Sequence, residues 1–343
     1  MISPESDRYK DGSSSPISAE LTDLLADLRL HRDKTRKNAL IVSAACVGIF
    51  LLICLAYMAS EASSGAEAGG MLIGFLLVCV FLAAVPYALM MHGVKLQYKK
   101  LVIPALLKEI DPDLTYDPGG YIPKEDFRRA KLFSESADSY HGEDLVRGSY
   151  KGIPIRFSEL KVQEAHRNEK TTTYHTFFHG IFMIADFHKD FRYRHWVLPD
   201  SAEAAFGQLV GNFLQKLSLP GRGHMTRMED PAFEKKFVVY TEDDVEARYI
   251  LTPKLMHTMV SLYERFRRGP SKIAFAFMDS NVFIAIPMPT GHDLFEMPSH
   301  GDIGAAAAGQ TLSELTAILN VFDVMDLDLR LWSKGSPPPG PRY

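Results

Sequence analysis

The stretch "YHTFFHGIFMIADFHKDFRYRH", Tyr174 to His195, concentrates the side chains best suited to hold a metal or move a proton. His175 and His179 stand four residues apart, a spacing that on a helix would bring both imidazoles to one metal. Gly180 and the surrounding aromatic and β-branched residues favour a strand instead. In a regular strand the two histidines share a face but lie about 13 Å apart, too far for one ion unless a bulge intervenes. His188 and His195 approach only through a turn. The plainer reading is a set of surface or interface histidines. No metal is therefore assigned, and His175 and His179 stand as the candidate pair.

Other chemistry has thinner support. Glu242, Asp243 and Asp244 form an acidic cluster that suits a helix N-terminus electrostatically and that could also hold a paired-carboxylate acid and base. Glu246 could face a site, though a solvated or salt-bridged helix carboxylate is the plainer account. Three cysteines, Cys46, Cys54 and Cys79, all fall in apolar runs, so the body beyond residue 95 has no thiol nucleophile, disulfide or thiolate zinc site. The chain contains no Gly-x-Ser-x-Gly elbow, P-loop or His-Glu-x-x-His motif, and "PGRGHM" offers only Gly221 and Gly223 without a third glycine. Arg267, Arg268 and Lys272 make a small basic corner. No catalytic residue and no cofactor follow from these patterns. A net charge of -4 gives no basis for nucleic-acid binding.

The elements that would position such groups begin with two uncharged runs, Ala39 to Ala59 and Met71 to Met91. At about 1.5 Å per residue, each matches a hydrocarbon core of roughly 30 Å. The first carries ten Leu, Ile, Val or Phe residues, each favouring insertion by about 0.3–0.6 kcal/mol with no charge opposing. Arg29, Arg32, Lys34, Arg36 and Lys37 precede the first run, and Lys95, Lys99 and Lys100 follow the second. The connecting "SEASSGAEAGG" carries only Glu61 and Glu67. The positive-inside rule then puts both termini in the cytoplasm. A cleaved signal peptide is disfavoured, because the leading segment is long and acidic and the run exceeds the usual apolar core. Ala44 with Gly48, and Gly70 with Gly74, are spaced for close helix approach within this hairpin. The spans contain no Asp, Glu, Lys, Arg or His, which argues against ion or proton transport through them.

The organisation expected is a cytosolic tail and helix over 1–38, a transmembrane helical hairpin over 39–91, a juxtamembrane helix and linker over 92–115, a domain over 116–333, and a Pro-rich tail over 334–343. The helix before the first span has Leu21, Leu24, Leu25 and Leu28 at helical spacing and can run on into it. "VKLQYKKLVIPALLKEI" reads as an amphipathic helix whose lysines could meet anionic head groups. In the body, "DLVRGSYKGIPIRFSELKV" is a hairpin turning at Lys151-Gly152, and "QEAHRNEKTTT" a polar connector. "YHTFFHGIFMIADF" and "RYRHWVL" are separate strands, and residues 201–217 are helical. "FEKKFVVYTED" is a strand ending at Thr241, with Thr241 and Asp244 arranged to cap a short helix. Thr252-Pro253 opens a clearer one. "SKIAFAFMDSNVFIAIPMP" reads as a hairpin turning at Asp279–Asn281. A last helix over 308–322 is followed by "DLDLRLW", whose alternation reads as a strand. Blocks of strands and helices without a βαβ rhythm make the class α+β.

Three stretches carry a family likeness: "GEDLVRGSYKGIPIRFSEL" at 142–160, "FFHGIFMIADFHKDF" at 177–191 and "EDPAFEKKFVVYTEDDVEARYILTP" at 229–253. On these, the chain from about Tyr116 to Glu296 resembles the bacterial family known as Domain of Unknown Function 3137. Its members look like inner-membrane proteins with a pair of spans ahead of the domain. The resemblance implies no activity. The function expected is a membrane-anchored cytosolic binding or scaffolding module at the bacterial inner membrane. Its partners would be the bilayer and a protein partner or a second copy of itself, not nucleic acid. The alternative is a membrane-associated enzyme, such as a metal-dependent hydrolase, with an unfamiliar site.

Overall fold

The structure is a computed structural model that describes residues 17–60, 68–168, 171–200, 223–266, 273–289, 294–297 and 303–332. Two compact units divide the chain: Met1–Leu106 with Glu296–Gln310, and Leu107–Phe295 with Thr311–Tyr343.

The first unit is dominated by two long helices, α1 (Ala19–Ser60) and α2 (Ala68–Ile110), the latter running to the second unit. Both pass the length and composition needed to cross a membrane. The helix before the first apolar run is continuous with it, and α2 is unbroken through Pro86 and Pro104. The two helices meet antiparallel. The Ser43 hydroxyl donates to the Ala83 carbonyl at 2.7 Å, and Phe50 stacks on Phe75 at 5.4 Å. The buried stripe of α1 is Leu21, Leu25, Leu28, Ala39 and Ser43, with Val94, Tyr98, Val102 and Leu106 buried on α2. The close approach therefore uses Ala39, Ser43 and Ala83. Ala44 is exposed and Gly48 has open space around it, so that small-residue pair does not make the contact. Most other apolar side chains of the pair point outward: Ile41, Leu52 and Leu89 are 66, 67 and 69% exposed.

The second unit is built on a seven-stranded antiparallel sheet. Its strands are β1 (Thr115–Asp117), β2 (Ser139–Tyr150), β3 (Ile153–Arg167), β4 (Thr172–Pro199), β5 (His224–Thr226), β6 (Phe237–Thr241) and β7 (Ala274–Pro287). They are ordered β1-β2-β3-β4-β6-β5, with β7 on the other edge of β4. Lys151 and Gly152 both take positive φ, 50° and 88°, the geometry of a two-residue turn whose twist matches its strands. Several local expectations are corrected. The polar "connector" is mostly strand: Gln163–Arg167 pairs with Thr172–Thr176 in a β3–β4 hairpin. The two strands expected from the histidine run are one 28-residue strand.

The segment around Asp279 is not a hairpin. Strand β7 stays beside β4 throughout, with register shifts between Asp186, Phe191 and His195. Asp279 takes φ 55°, which resembles a turn residue in sequence but here forms a bulge. The bulge has a use: Ala274, Ala276 and Met278 precede it, and Phe283 and Ala285 follow it, all on one face. Even numbers become odd across Asp279, so apolar residues stay inward on both sides of it.

That face is covered by α3 (Lys124–Arg129) and the segment after it. Phe127 lies 5.0 Å from Phe182 and 5.7 Å from Phe178 between ring centroids. The Trp196 indole N–H donates to the Ala130 carbonyl at 3.0 Å, satisfying the polar atom of a fully buried ring. The opposite face carries Phe157, Ile181, Met183, Val197, Val239, Phe275 and Phe277, all buried. The further helices among the described residues are α4 (Pro231–Glu234), α5 (Asp244–Ile250), α6 (Pro253–Arg265) and α7 (Ala305–Trp332). Tyr263 of α6 meets Phe237 edge-on, while the Thr252 side chain accepts from Leu255 N and Pro253 takes the first turn, as its sequence predicts. "DLDLRLW" continues α7 rather than forming a strand. Extending a helix already formed adds one hydrogen bond per residue fixed, whereas a new strand needs a partner edge. The helix expected over 201–217 and the basic corner of Arg267, Arg268 and Lys272 lie outside the described residues.

Candidate functional site

The sequence-expected pair is not brought together. Val162 pairs with Phe178 but Gln163 pairs with Thr176, so Phe177 is an extra residue on β4. This slip reverses the alternation between the two histidines, placing His175 and His179 on opposite faces of the sheet. His175 is exposed, in register with Glu164, and its ring lies 6.3 Å from that of His166. His179 is half-buried, with Nε2 3.7 Å from Glu159 Oε1. The bulge that would have been needed to bring them close is present, and it separates them. Among the described residues, no group of three or more His, Cys, Asp or Glu is placed to hold a metal. The His188 side chain lies outside the described residues.

The most elaborate polar constellation forms around His195, at the junction of β4, β6 and α5. His195 and Thr241 are directly paired across the strands and both fully buried. The His195 Nδ1 lies 2.7 Å from Thr241 Oγ1, and Nε2 lies 3.1 Å from Glu246 Oε2. Glu246 also accepts from the backbone N–H of Arg192 and Tyr193 at 3.0 and 2.7 Å. Its own N–H donates to the Asp243 side chain, which caps α5. The expected cap at Thr241 is thus displaced by two residues. Thr241 Oγ1 instead accepts from Asp243 N at 2.9 Å and lies 2.7 Å from Asp243 O.

Proton placement follows from this geometry. Burial pushes the His195 pKa below its ordinary value, opposed by the Glu246 carboxylate beside it. The Glu246 carboxylate accepts from the ring at Nε2, and the single Thr241 hydroxyl proton has two acceptors in reach, Asp243 O and His195 Nδ1, each at 2.7 Å. The composition Thr-His-Glu matches a nucleophile, a base and an orienting acid. The surroundings do not suit catalysis, because the imidazole and hydroxyl are sealed from solvent and the hydroxyl is enclosed by the Asp243 backbone. Chemically the group is a clamp that ties α5 to the sheet.

The acidic cluster is divided among separate tasks. Glu242 accepts from Arg194 N and Nε at 3.0 Å each, and from Nη2. Burial raises its pKa, but the Arg194 hydrogen bonds and charge outweigh this and hold it below the ordinary value. Asp243 caps a helix, and Asp244 pairs with His224 at 2.9 Å. No two of these carboxylates share a site as an acid and base would. Nothing local in the sequence marks the clamp, since His195 and Glu246 are separated by 51 residues. His195, Thr241 and Glu246 each draw notice in the sequence, but nothing there joins them.

An antiparallel α+β domain carried behind two long apolar helices is the class these features define. Residues 176–327 match the model of the family described as "Protein of unknown function (DUF3137)". No curated protein matches the chain. A crystal structure of the mycobacterial trehalose monomycolate transport factor A is similar at 9% identity over 66% of this chain and 94% of that one. Its TM-score is 0.31.

Proposed function

We propose that the chain is a membrane-anchored binding or scaffolding module. In this reading the helical pair crosses the bacterial inner membrane with both ends in the cytoplasm, and the α+β domain is presented there. The observation that carries it is the outward-facing apolar surface of α1 and α2. Side chains such as Ile41, Leu52 and Leu89 are left about two-thirds exposed by the described residues, and each leaves most of about 1.5–3 kcal/mol of burial unrealised in water. A bilayer core of roughly 30 Å supplies that cover over the two uncharged runs. The cation-rich flanks and the loop bearing only Glu61 and Glu67 support the orientation. A binding role is favoured over an enzymatic one because the imidazole and carboxylates of the His195 constellation are tied to structural partners.

The test is chemical crosslinking of membranes carrying the full chain or its His175→Ala, His179→Ala double variant. The module reading expects the same crosslinked partner, or the same self-association, in both. Bound metal and crosslinks that vanish together with the two imidazoles would support the membrane-associated hydrolase instead.

A further inference from the structure

We infer that the cytoplasmic end of the helical pair is a binding surface for the phosphate head groups of anionic phospholipids, formed by Lys34, Arg36, Lys37 and Lys100. The inference rests on the membrane reading above and adds a lipid preference to it.

The sequence presents eight cations flanking the apolar runs as if they were equivalent. The structure sorts them. Arg29 is engaged in an interaction of its own, and Arg32 is committed to Asp33 at 3.1 Å. Lys99, with its side chain only 8% exposed, is held by Glu296 at 2.8 Å, and Lys95 approaches the same carboxylate at 3.8 Å. Two of the three lysines that directly follow the second run, Lys95 and Lys99, are therefore engaged within the first unit. Lys34, Arg36, Lys37 and Lys100 are exposed and have no ion pair among the described residues.

Their placement specifies the partner. Leu30, Lys34, Lys37 and Ile41 recur at the spacing of a single helix face, opposite the buried stripe of Leu25, Leu28, Ala39 and Ser43. Lys34 and Lys37 thus point away from the neighbouring helix, on the same outward line as Ile41, whose side chain is 66% exposed and would face lipid. The apolar run beginning at Ala39 fills about 30 Å at helical rise, so residues just before it fall in the head-group layer. Lys and Arg stems can lie along apolar surface while their charges reach outward. A surface continuous with the lipid-facing stripe meets lipid before any soluble protein, and its charge selects the anionic head group. Arg36 and Lys100 widen the cationic surface around the helices.

The test is native mass spectrometry of the full chain in detergent, titrated with phosphatidylglycerol or phosphatidylcholine. Each cation near an anionic surface favours association about fivefold, so several acting together should give the wild-type chain at least about a tenfold preference for phosphatidylglycerol. The triple variant Lys34→Gln, Arg36→Gln, Lys37→Gln should fall close to parity, whereas Lys99→Gln should keep the preference. An unchanged preference in the triple variant overturns the inference. So does its removal by inorganic phosphate alone, which would indicate a free-anion site. Carbonate extraction of the same membranes separates the two readings. Wild-type chain retained in the pellet but indifferent to phosphatidylglycerol refutes only the lipid preference, whereas chain released by carbonate refutes the membrane reading itself.

Discussion

Gly180→Val is expected to unfold the sheet domain, or to lower its stability by roughly 4 kcal/mol or more. Gly180 has φ 148°, a backbone conformation that side-chain-bearing residues rarely adopt. A Cβ placed there would lie 2.2 Å from the Ile286 carbonyl oxygen and 2.6 Å from Met288 N. Both obstructing atoms are backbone, one on β7 and one on the residue just after it, and Met288 N already donates to His179 O at 2.8 Å. Neither can withdraw without opening the β4–β7 pairing, which holds apolar residues on both faces of the sheet. Gly152→Ala is the matched comparison. Its φ of 88° also disfavours a side chain, yet the space around it is open, so the cost should be about 1 kcal/mol. Urea unfolding of the full chain in detergent, followed by tryptophan emission and limited proteolysis, measures both. Equal midpoints for the two variants would contradict this account of the β4–β7 contact.

His195→Ala and Glu246→Ala are each expected to destabilise the domain by roughly 2–4 kcal/mol. The first removes a buried ring between Thr241 and Glu246, and the second leaves His195 Nε2 and the N–H groups of Arg192 and Tyr193 without their acceptor. The double variant should cost less than the sum, because both changes break the same bond. A pH signature follows. With the folded pKa of His195 lowered by burial, the unfolded chain binds more protons near and below its ordinary value of about 6.5. The contribution of His195 is then complete above that pH and declines as pH falls towards the folded value. The stability gap between wild type and His195→Ala should narrow between about pH 7 and pH 5. A widening gap would mean that the fold stabilises the imidazolium instead.

The features readable from sequence are those dictated by near neighbours. Two uncharged runs announce their helices by composition, Lys151-Gly152 announces its turn, and Thr252-Pro253 its helix start, because each depends on chemistry within a few residues. Asp279 shows the limit. A residue content suited to a tight turn serves equally well for a bulge, and only the partner strand decides which. The tail of α7 shows another, since alternation over seven residues cannot outweigh an established helix in the same chain. Phe177 is a third case: one unpaired residue on β4 sends His175 and His179 to opposite faces, and pairing register is a property of two strands. The clamp at His195 is least visible because His195 lies 46 and 51 residues from its partners Thr241 and Glu246. The division of the flanking cations into engaged and exposed sets was hidden for the same reason, as Glu296 lies far from Lys99 along the chain.

The most direct test of the central claim is the sidedness of the chain in spheroplasts. In a background with Cys46, Cys54 and Cys79 changed to alanine, Ser64→Cys between the helices and Thr173→Cys on the exposed β3–β4 hairpin are treated with a membrane-impermeant maleimide. The account predicts labelling of Ser64→Cys in intact spheroplasts, and of Thr173→Cys only after the membrane is opened. Labelling of Thr173→Cys from outside would contradict it.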